Sequence, residues 1–534
     1  MNHRFVIYSI GKLLQVLAAA MLIPAAIAWF ESMPGDIPAI LADRRLAGFL
    51  VAIMLSLTVG SALALIPHRP MQGNAVREGF AIVTFGWIVL TLFGCIPLFV
   101  YFQTLHAEWT VSGAALDFTN AFFEIMSGFT TTGATILTDI EVLPHGMLFW
   151  RSMTHWLGGM GIVTLVLAIF PAFGFTAYQM FRGEVPGPTT ERLKPRLAQT
   201  AKILWGVYAA LTLAETALLM IGGMSLFEAL CHAFGTMATG GFSTRNASIA
   251  AYNSDFIDWV VIVFMFLAGT NFMIHYRVIF GRDLSPLHAD REFRFYVSVL
   301  MIAIAAGTLA LFVSGPASPT ETARSFRHEA LTEEQITQKI QTEESRSASL
   351  YQIIRHVTFQ VVSITTTTGY ATADFDLWPT VVRLMLVVLM FFGGSAGSTG
   401  GGIKMIRVLV VLRTAWREVK TMIQPRLIAP VKVAGKALEE KQVANIIAFF
   451  TLFIVIFVFF SLIMSLIIGD FTTAVTSVVA TLCNIGPGLS GIGAAENYAW
   501  IPFQGKWVLS ACMLLGRLEI YTVIIALSPI WWRK

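Results

Sequence analysis

Apolar runs long enough to cross a bilayer recur along nearly the whole chain. They fall near residues 5–30, 46–66, 78–101, 147–175, 201–224, 256–280, 295–314, 379–403, 444–468 and 506–532. A transmembrane helix needs about 20 such residues, so the pattern predicts ten spans. The first run, Phe5 to Phe30, is too long for a signal-peptide core and no small-residue cleavage site follows it, so it reads as a retained helix. Four shorter apolar segments, near 117–130, 227–238, 352–366 and 471–482, are too short to cross. Each ends in small, hydroxyl or glycine residues, then a polar stretch, then the next long run. That is the pattern of a helix that enters the membrane and returns as a loop.

The loop sequences repeat. They read Thr130-Thr131-Thr132-Gly133-Ala134-Thr135, Met237-Ala238-Thr239-Gly240-Gly241-Phe242-Ser243, Thr366-Thr367-Thr368-Gly369-Tyr370-Ala371-Thr372 and Cys483-Asn484-Ile485-Gly486-Pro487-Gly488. Aligned on Gly133, Gly240, Gly369 and Gly486, they are 107, 129 and 117 residues apart. One such loop would be an ordinary turn. Four at the same place in four units predict an all-α membrane protein with two N-terminal helices (1–77) and four units of span, short helix, glycine loop and span (78–199, 200–294, 295–441 and 442–534). A polar insert before the third short helix reads as a surface helix from Thr332 to Ser347.

Composition agrees with the pattern. Hydrophobic residues make up 56% of the 534 and charged ones 13%, with mean hydropathy +0.71, against about 25% charged in soluble domains. The four cysteines lie in apolar segments at no metal-site or disulfide spacing and read as small buried hydrophobes. The net charge of +4 matters less than its distribution. Basic residues gather in 176–202, 277–294 and 404–441, which places those segments in the cytoplasm. Residues 102–150 hold no lysine or arginine but carry Glu108, Asp117, Glu124, Asp139 and Glu141, and 316–350 holds six glutamates. The glycine loops then open outside. Acidic loops there either concentrate cations at the mouth or are simply tolerated.

Non-helical backbone at membrane depth must line a water-filled cavity or be buried in protein. A short helix followed by extended backbone can aim carbonyl oxygens at one axis, where they replace the water shell of a potassium ion. Glycine supplies the positive φ this needs, and the threonines supply further oxygens. On these loops, and on Ser127-Gly128-Phe129 and Ser363-Ile364-Thr365 before them, the chain resembles the Trk/Ktr/HKT superfamily of K+ transporters over nearly its whole length. Within it, the chain is most similar to the bacterial Trk potassium-uptake membrane subunits, which carry two extra helices. The resemblance implies a pseudo-fourfold pore in the bacterial inner membrane, with K+ as the transported ion. Its selectivity filter would be Thr131, Thr132, Gly133, Ala238, Thr239, Gly240, Thr367, Thr368, Gly369, Asn484, Ile485 and Gly486. Serine in the first loop of plant relatives goes with sodium preference. Glycine at all four places here favours potassium, and the fourth loop, without threonines, makes discrimination modest.

The span near 379–403 contains Gly393-Gly394-Ser395-Ala396-Gly397-Ser398-Thr399-Gly400-Gly401-Gly402, six glycines in ten residues. Each glycine disfavours helix by about 1 kcal/mol, so the span should break into a loop; close helix packing is the other use of such a run. In the family this segment is a gate beneath the filter, which assigns Gly394, Ser395, Ala396, Gly397, Ser398, Thr399, Gly400, Gly401, Gly402, Lys404 and Arg517 to gating. Arg517 and Glu519 lie inside the last run as a functional charge or a buried ion pair. By the family pattern Arg517 faces the pore and could bond the gate's carbonyls. Arg151 and Trp156-Leu157-Gly158-Gly159-Met160-Gly161 read as packing and anchoring, Glu124 and Glu228 as supports of the filter, and His155, His232 and His356 as hydrogen-bonded structure.

A secondary transporter coupling K+ to H+ or Na+ also uses broken helices, but four equivalent loops favour a pore. An enzyme is disfavoured: there is no G-x-x-x-x-G-K-[ST], and Gly491-Ile492-Gly493-Ala494-Ala495-Glu496 fails the dinucleotide fingerprint. No nucleotide is expected on this chain, and no nucleic acid. The resemblance implies a homodimer, surrounding membrane lipid, and a cytoplasmic regulatory ring that binds NAD(H) or ATP/ADP. The nine basic residues of 404–441 are a docking surface for it, or satisfy the positive-inside rule alone.

Overall fold

The computed structural model describes residues 2–32, 43–67, 76–103, 114–161, 197–315, 338, 341–342, 349–426, 430–433, 436–518 and 520–528. Beyond Gly161 the span expected over 147–175 lies outside them, as do most of the basic segment 176–202, nearly all of the insert with its Thr332–Ser347 helix, and Glu519. The described chain is helical, with one small hairpin pairing Lys432–Val433 and Lys436–Ala437.

Helices α1 (His3–Ser32) and α2 (Arg44–Ala64) pack along each other through facing glycines. A Cβ on Gly60 would lie 2.8 Å from the Gly11 carbonyl oxygen, so the two backbones touch where no side chain fits. The first unit follows as α3 (Val76–Gly94), α4 (Ile96–Phe102), the short α5 (Ala114–Phe129) and α6 (His145–Gly159). The second is α7 (Leu197–Ile221), the short α8 (Leu226–Met237), α9 (Asp255–Ala268) and α10 (Phe272–Ile279), with α11 (Ser285–Ala289) leading on. The third is α12 (Arg291–Ser314), the short α13 (Leu350–Thr365), α14 (Thr380–Met390) and α15 (Met405–Ile423). The fourth is α16 (Glu440–Ile467), the short α17 (Phe471–Leu482), α18 (Phe503–Arg517) and α19 (Ile520–Leu527).

The four short helices stand within three residues of where the apolar pattern starts them. Ser225, Ser349 and Asp470 cap three of them by accepting from the amides of Glu228, Gln352 and Thr473. Toward their loop ends they are nearly all buried. The long spans are the reverse: α16, with mean hydropathy 3.1 in its most apolar window, is only 17% buried there, and Leu462 and Leu466 face outward to lipid.

Six described helices are long and apolar enough to span, or eight if each bent pair counts once. The sequence pattern expects a break only near 393–402. The structure also breaks the runs 256–280 and 506–532, by 106° between α9 and α10 and by 113° between α18 and α19. Gly269 ends α9, and the Asn271 side chain starts α10 in its new direction by accepting from the Met273 amide at 2.9 Å. Apolar periodicity cannot register such a bend, because both arms stay apolar.

Gly60→Leu should separate α1 from α2, since a side chain there meets backbone. Overpacking of this kind costs about 1–3 kcal/mol, and a lower thermal midpoint in detergent would register it; an unchanged midpoint would contradict the close contact.

Candidate ion pathway

Each short helix ends in the same three-residue turn. Thr131, Thr239, Thr367 and Asn484 hold φ of 51°, 55°, 62° and 56°. Two residues on, Gly133, Gly241, Gly369 and Gly486 hold 79°, 79°, 82° and 98°. Between them the amides of Thr132, Gly240, Thr368 and Ile485 donate to the carbonyls five residues back, those of Ser127, Gly235, Ser363 and Ala480. A non-glycine residue in the left-handed region costs about 1–2 kcal/mol. Four matching outliers therefore mark one shared constraint, of the kind held at functional sites.

This register corrects the second loop. The sequence alignment takes Ala238, Thr239 and Gly240 as its three residues, with Gly240 opposite the other glycines. The structure gives Thr239, Gly240 and Gly241, and Ala238 is the C-cap of α8. Two adjacent glycines offer two alignments, and only the backbone conformation separates them. Gly240 is needed for a different reason: a Cβ there would run into the His155 ring.

The four loops close on one another. A Cβ on Gly133 would strike the Gly240 carbonyl oxygen, one on Gly241 that of Thr368, one on Gly369 that of Ile485, and one on Gly486 that of Thr132. Each glycine thus faces the middle carbonyl of the next loop, around a complete ring. Bonds tie every seam outside it. Between the first and second loops, Arg151 donates to the Ser243 carbonyl at 3.2 Å and stacks 4.0 Å from the Phe242 ring. Tyr370 donates to the Phe242 carbonyl at 3.1 Å, joining second and third. The Asp376 carboxylate accepts from the Ser490 amide at 3.1 Å, joining third and fourth. Burial, then the neighbouring Asp374 carboxylate, push the Asp376 carboxyl well above its ordinary range. The Tyr498 amide donates to the Thr135 carbonyl at 2.8 Å, joining fourth and first.

Arg151 and Glu124 form an ion pair at 2.8 Å with 1% and 0% of their side chains exposed. Glu124 also accepts from the Thr135 hydroxyl and the Ile136 amide, both at 2.9 Å. It therefore holds the outgoing strand of the first loop. Glu228 pairs with Arg245 at 2.7 Å, and Arg245 reaches Glu141 at 3.1 Å. His155, His232 and His356 all take hydrogen bonds: with the Phe242 amide, with the Glu228 carbonyl and Ser243 hydroxyl, and with the Thr372 hydroxyl. All four cysteines are free thiols and buried.

Under the ring, on the side away from the acidic loops, lies the glycine-rich segment 391–404. Thr399 donates to the Met237 carbonyl at 3.0 Å, and the Gly401 amide donates to the Thr367 hydroxyl at 2.8 Å. A Cβ on Gly401 would strike the Cys483 carbonyl oxygen. The segment therefore touches the ends of three short helices. It also meets the broken end of α9, where the Ser395 amide donates to the Gly269 carbonyl at 2.8 Å. Arg517 donates to the carbonyls of Thr399 at 2.7 Å, Gly158 at 2.5 Å and Gly159 at 2.8 Å. Lys404, itself buried, donates to the Gly400 carbonyl. Glu292, at the start of α12, accepts from the amides of Ala396 at 2.7 Å and Ile406 at 3.1 Å, and so ties the segment to the first turn of α15. The sequence reading passes over Glu292, because an acid in the first turn of a helix is ordinary.

Cavities flank this stack. One of about 70 Å³ is lined by Gly133, Gly241, Gly369 and Gly486 together with Arg245 and Glu496. The other, of about 130 Å³, is lined by Gly397 to Gly402, Lys404, Arg407 and Arg517. Ring and segment lie between the two.

A polytopic helical protein whose four inward loops close a ring between two cavities is, by class, a membrane ion-transport protein. The chain matches the family described as TrkH, cation transport protein, over residues 46–531, and it belongs to that family. It is 35% identical over 537 residues to the "Trk system potassium uptake protein TrkH" of Escherichia coli (strain K12), covering 100% of both chains. To the protein of the same name from Halomonas elongata it is 36% identical, again over 100% of both. The crystal structure of "the Potassium Transporter TrkH from Vibrio parahaemolyticus" superposes with a TM-score of 0.79 at 32% identity, covering 100% of both chains.

Removing one partner of the buried pair strands the other charge, at about 3–5 kcal/mol. Glu124→Ala should therefore lower the thermal midpoint of the purified protein sharply. Glu228→Ala, at the more exposed pair, should lower it far less; equal losses would contradict the burial difference.

Proposed function

We propose that this chain takes up potassium across the bacterial inner membrane through a gated, channel-like pore. The observation that carries this reading is the closed ring of four loops, each with the same left-handed, ordinary, left-handed backbone sequence. Such alternation turns successive carbonyls to one side, where they can replace the hydration shell of a dehydrated cation. The filter is then Thr131 to Gly133, Thr239 to Gly241, Thr367 to Gly369 and Asn484 to Gly486. The segment Gly394 to Gly402, with Lys404 and Arg517, is the gate: it lies across the inner side of the ring, and its positive charges repel a waiting cation. Potassium is cargo, not a cofactor. The names of the relatives support the choice of ion. A homodimer and a cytoplasmic nucleotide-binding regulatory partner complete the reading, the partner docking on the basic stretch 404–441, whose Trp416, Met422 and Ile423 are exposed.

Gly369→Ser puts a side chain at φ 82° against the Ile485 carbonyl. It should lower the K+ over Na+ flux ratio in proteoliposomes, and unchanged ratios would sink the filter assignment. Gly241→Ser should act in the same way if the second loop has the register given above. Deleting part of 395–401, or the gentler Arg517→Gln, should raise basal K+ flux; flux regulated as before would mean the segment is not the gate. Imposed pH and sodium gradients that drive K+ uptake would replace the channel-like reading with coupled transport.

A further inference from the structure

The carbonyls of the four ring glycines are not held alike. In the first three units no donor among the described residues takes the carbonyl of Gly133, Gly241 or Gly369. In the fourth, the Tyr498 hydroxyl donates to the Gly486 carbonyl at 2.6 Å. Tyr370, the tyrosine of the third loop, makes no such contact: its hydroxyl goes to the carbonyls of His232 and Phe242, neither of them a ring glycine. The backbone follows the same asymmetry. φ is 98° at Gly486 against 79°, 79° and 82° at the other three. A Cβ on Gly133, Gly241 or Gly369 would overlap the carbonyl oxygen of the next loop, whereas one on Gly486 would stand further off, 2.7 Å from the Thr132 oxygen. The fourth wall is therefore turned relative to the others and set back from the first.

Tyr498 works from a fixed base. It is buried, its ring centroid lies 5.5 Å from that of Phe123 on α5, and its own amide donates to the Thr135 carbonyl at 2.8 Å. Both of these ties go to the first unit, while the hydroxyl goes to the fourth loop. Tyr498 also lines the outer cavity together with the four glycines.

We infer that Tyr498 is a specificity-determining residue, whose hydroxyl keeps the Gly486 carbonyl as a weaker and fixed oxygen at the outer end of the filter. This rests on the filter proposed above. A hydrogen bond draws electron density from the oxygen and lowers its pull on a cation, while the second lone pair remains for the ion. It also restrains the carbonyl from moving inward. A strong or mobile oxygen closes on sodium, the smaller ion, and a weaker, fixed one suits potassium. Field strength and cavity size, the two physical sources of such selectivity, act in the same direction here.

Tyr498→Phe removes the hydroxyl and leaves the ring and the backbone amide in place. In proteoliposomes of the full chain it should lower the K+ over Na+ flux ratio by about two- to tenfold, the net worth of one hydrogen bond, chiefly by raising Na+ flux. A ratio unchanged or raised would overturn the inference, and so would equal losses of both fluxes, which a merely structural role would give. If Tyr498→Phe fails to fold, a fluorinated tyrosine placed at 498 decides, because it keeps the shape and donates more strongly. It should raise the ratio, and a ratio unchanged or lowered would count against the role of the hydroxyl. Gly369→Ser in the same vesicles separates the two readings. If it too leaves the ratio unchanged, the filter reading fails; if it lowers the ratio while Tyr498→Phe does not, only the role of Tyr498 fails.

Discussion

Backbone that leaves a helix inside a membrane must find new partners for its amides and carbonyls, since lipid offers none. This chain leaves the helix at the end of all four short helices and again where the second helices break. Nearly every feature of its centre follows from satisfying those groups. The turn amides bond back into their own short helices, which fixes the left-handed conformation at Thr131, Thr239, Thr367 and Asn484. The freed carbonyls at the broken ends, Gly158 and Gly159 of α6 and Ala268 and Gly269 of α9, are met by Arg517, Ser395 and Thr399. The glycine-rich segment is therefore more than an obstruction. It supplies the donors that make the breaks tolerable.

The same requirement explains why the units are alike outside and unlike inside. The loop turns are superimposable in φ, because one conformation must be reached four times. The inner contacts cannot repeat, because a single segment meets the ends of three short helices. Only the third unit carries the glycine run, and only the fourth carries Arg517. The fourth loop diverges accordingly. Asn484 stands where the others have threonine, and its side-chain amide donates to the Thr132 hydroxyl at 2.9 Å and the Met513 carbonyl at 3.0 Å. It bonds a neighbouring loop in a way a threonine could not reach. The missing threonines therefore trade hydroxyl oxygens for a cross-loop tie.

How much of this the sequence disclosed depended on whether periodicity or conformation carried the information. The short helices were legible because each is an apolar run too short to cross that ends in small, hydroxyl or glycine residues before the next long run. Membership of a four-unit class was legible because a glycine loop after a short apolar segment recurs at similar intervals. The register of the second loop was not, because Gly240 and Gly241 look alike until φ is known. The bends at Gly269–Asn271 and Leu518 were hidden because both arms are apolar. Glu292 was hidden because its partners, the amides of Ala396 and Ile406, lie more than a hundred residues away. Arg517 was found because a charge in an apolar run stands out whatever it bonds.

The two layers of the pathway also differ in what would be needed to rearrange them. Around the ring, the seams use the buried Glu124–Arg151 pair, aromatic stacking on Phe242 and backbone contacts too close for a Cβ, so displacing one loop disturbs its neighbours. Under it, the segment is held by single bonds from Thr399, Gly401 and Arg517 to uncharged groups and by the Glu292 carboxylate on the Ala396 amide, each worth roughly 0.5–3 kcal/mol net, with the charged partners at the upper end. The acceptors Gly159, Thr399 and Gly400 line the cavity on the inner side, so water entering there can compete for the bonds of Arg517 and Lys404. A filter must keep its geometry while ions pass and a gate must not. On the proposed reading, the distribution of bonds, cooperative above and single below, suits a filter in the ring and a gate in the segment.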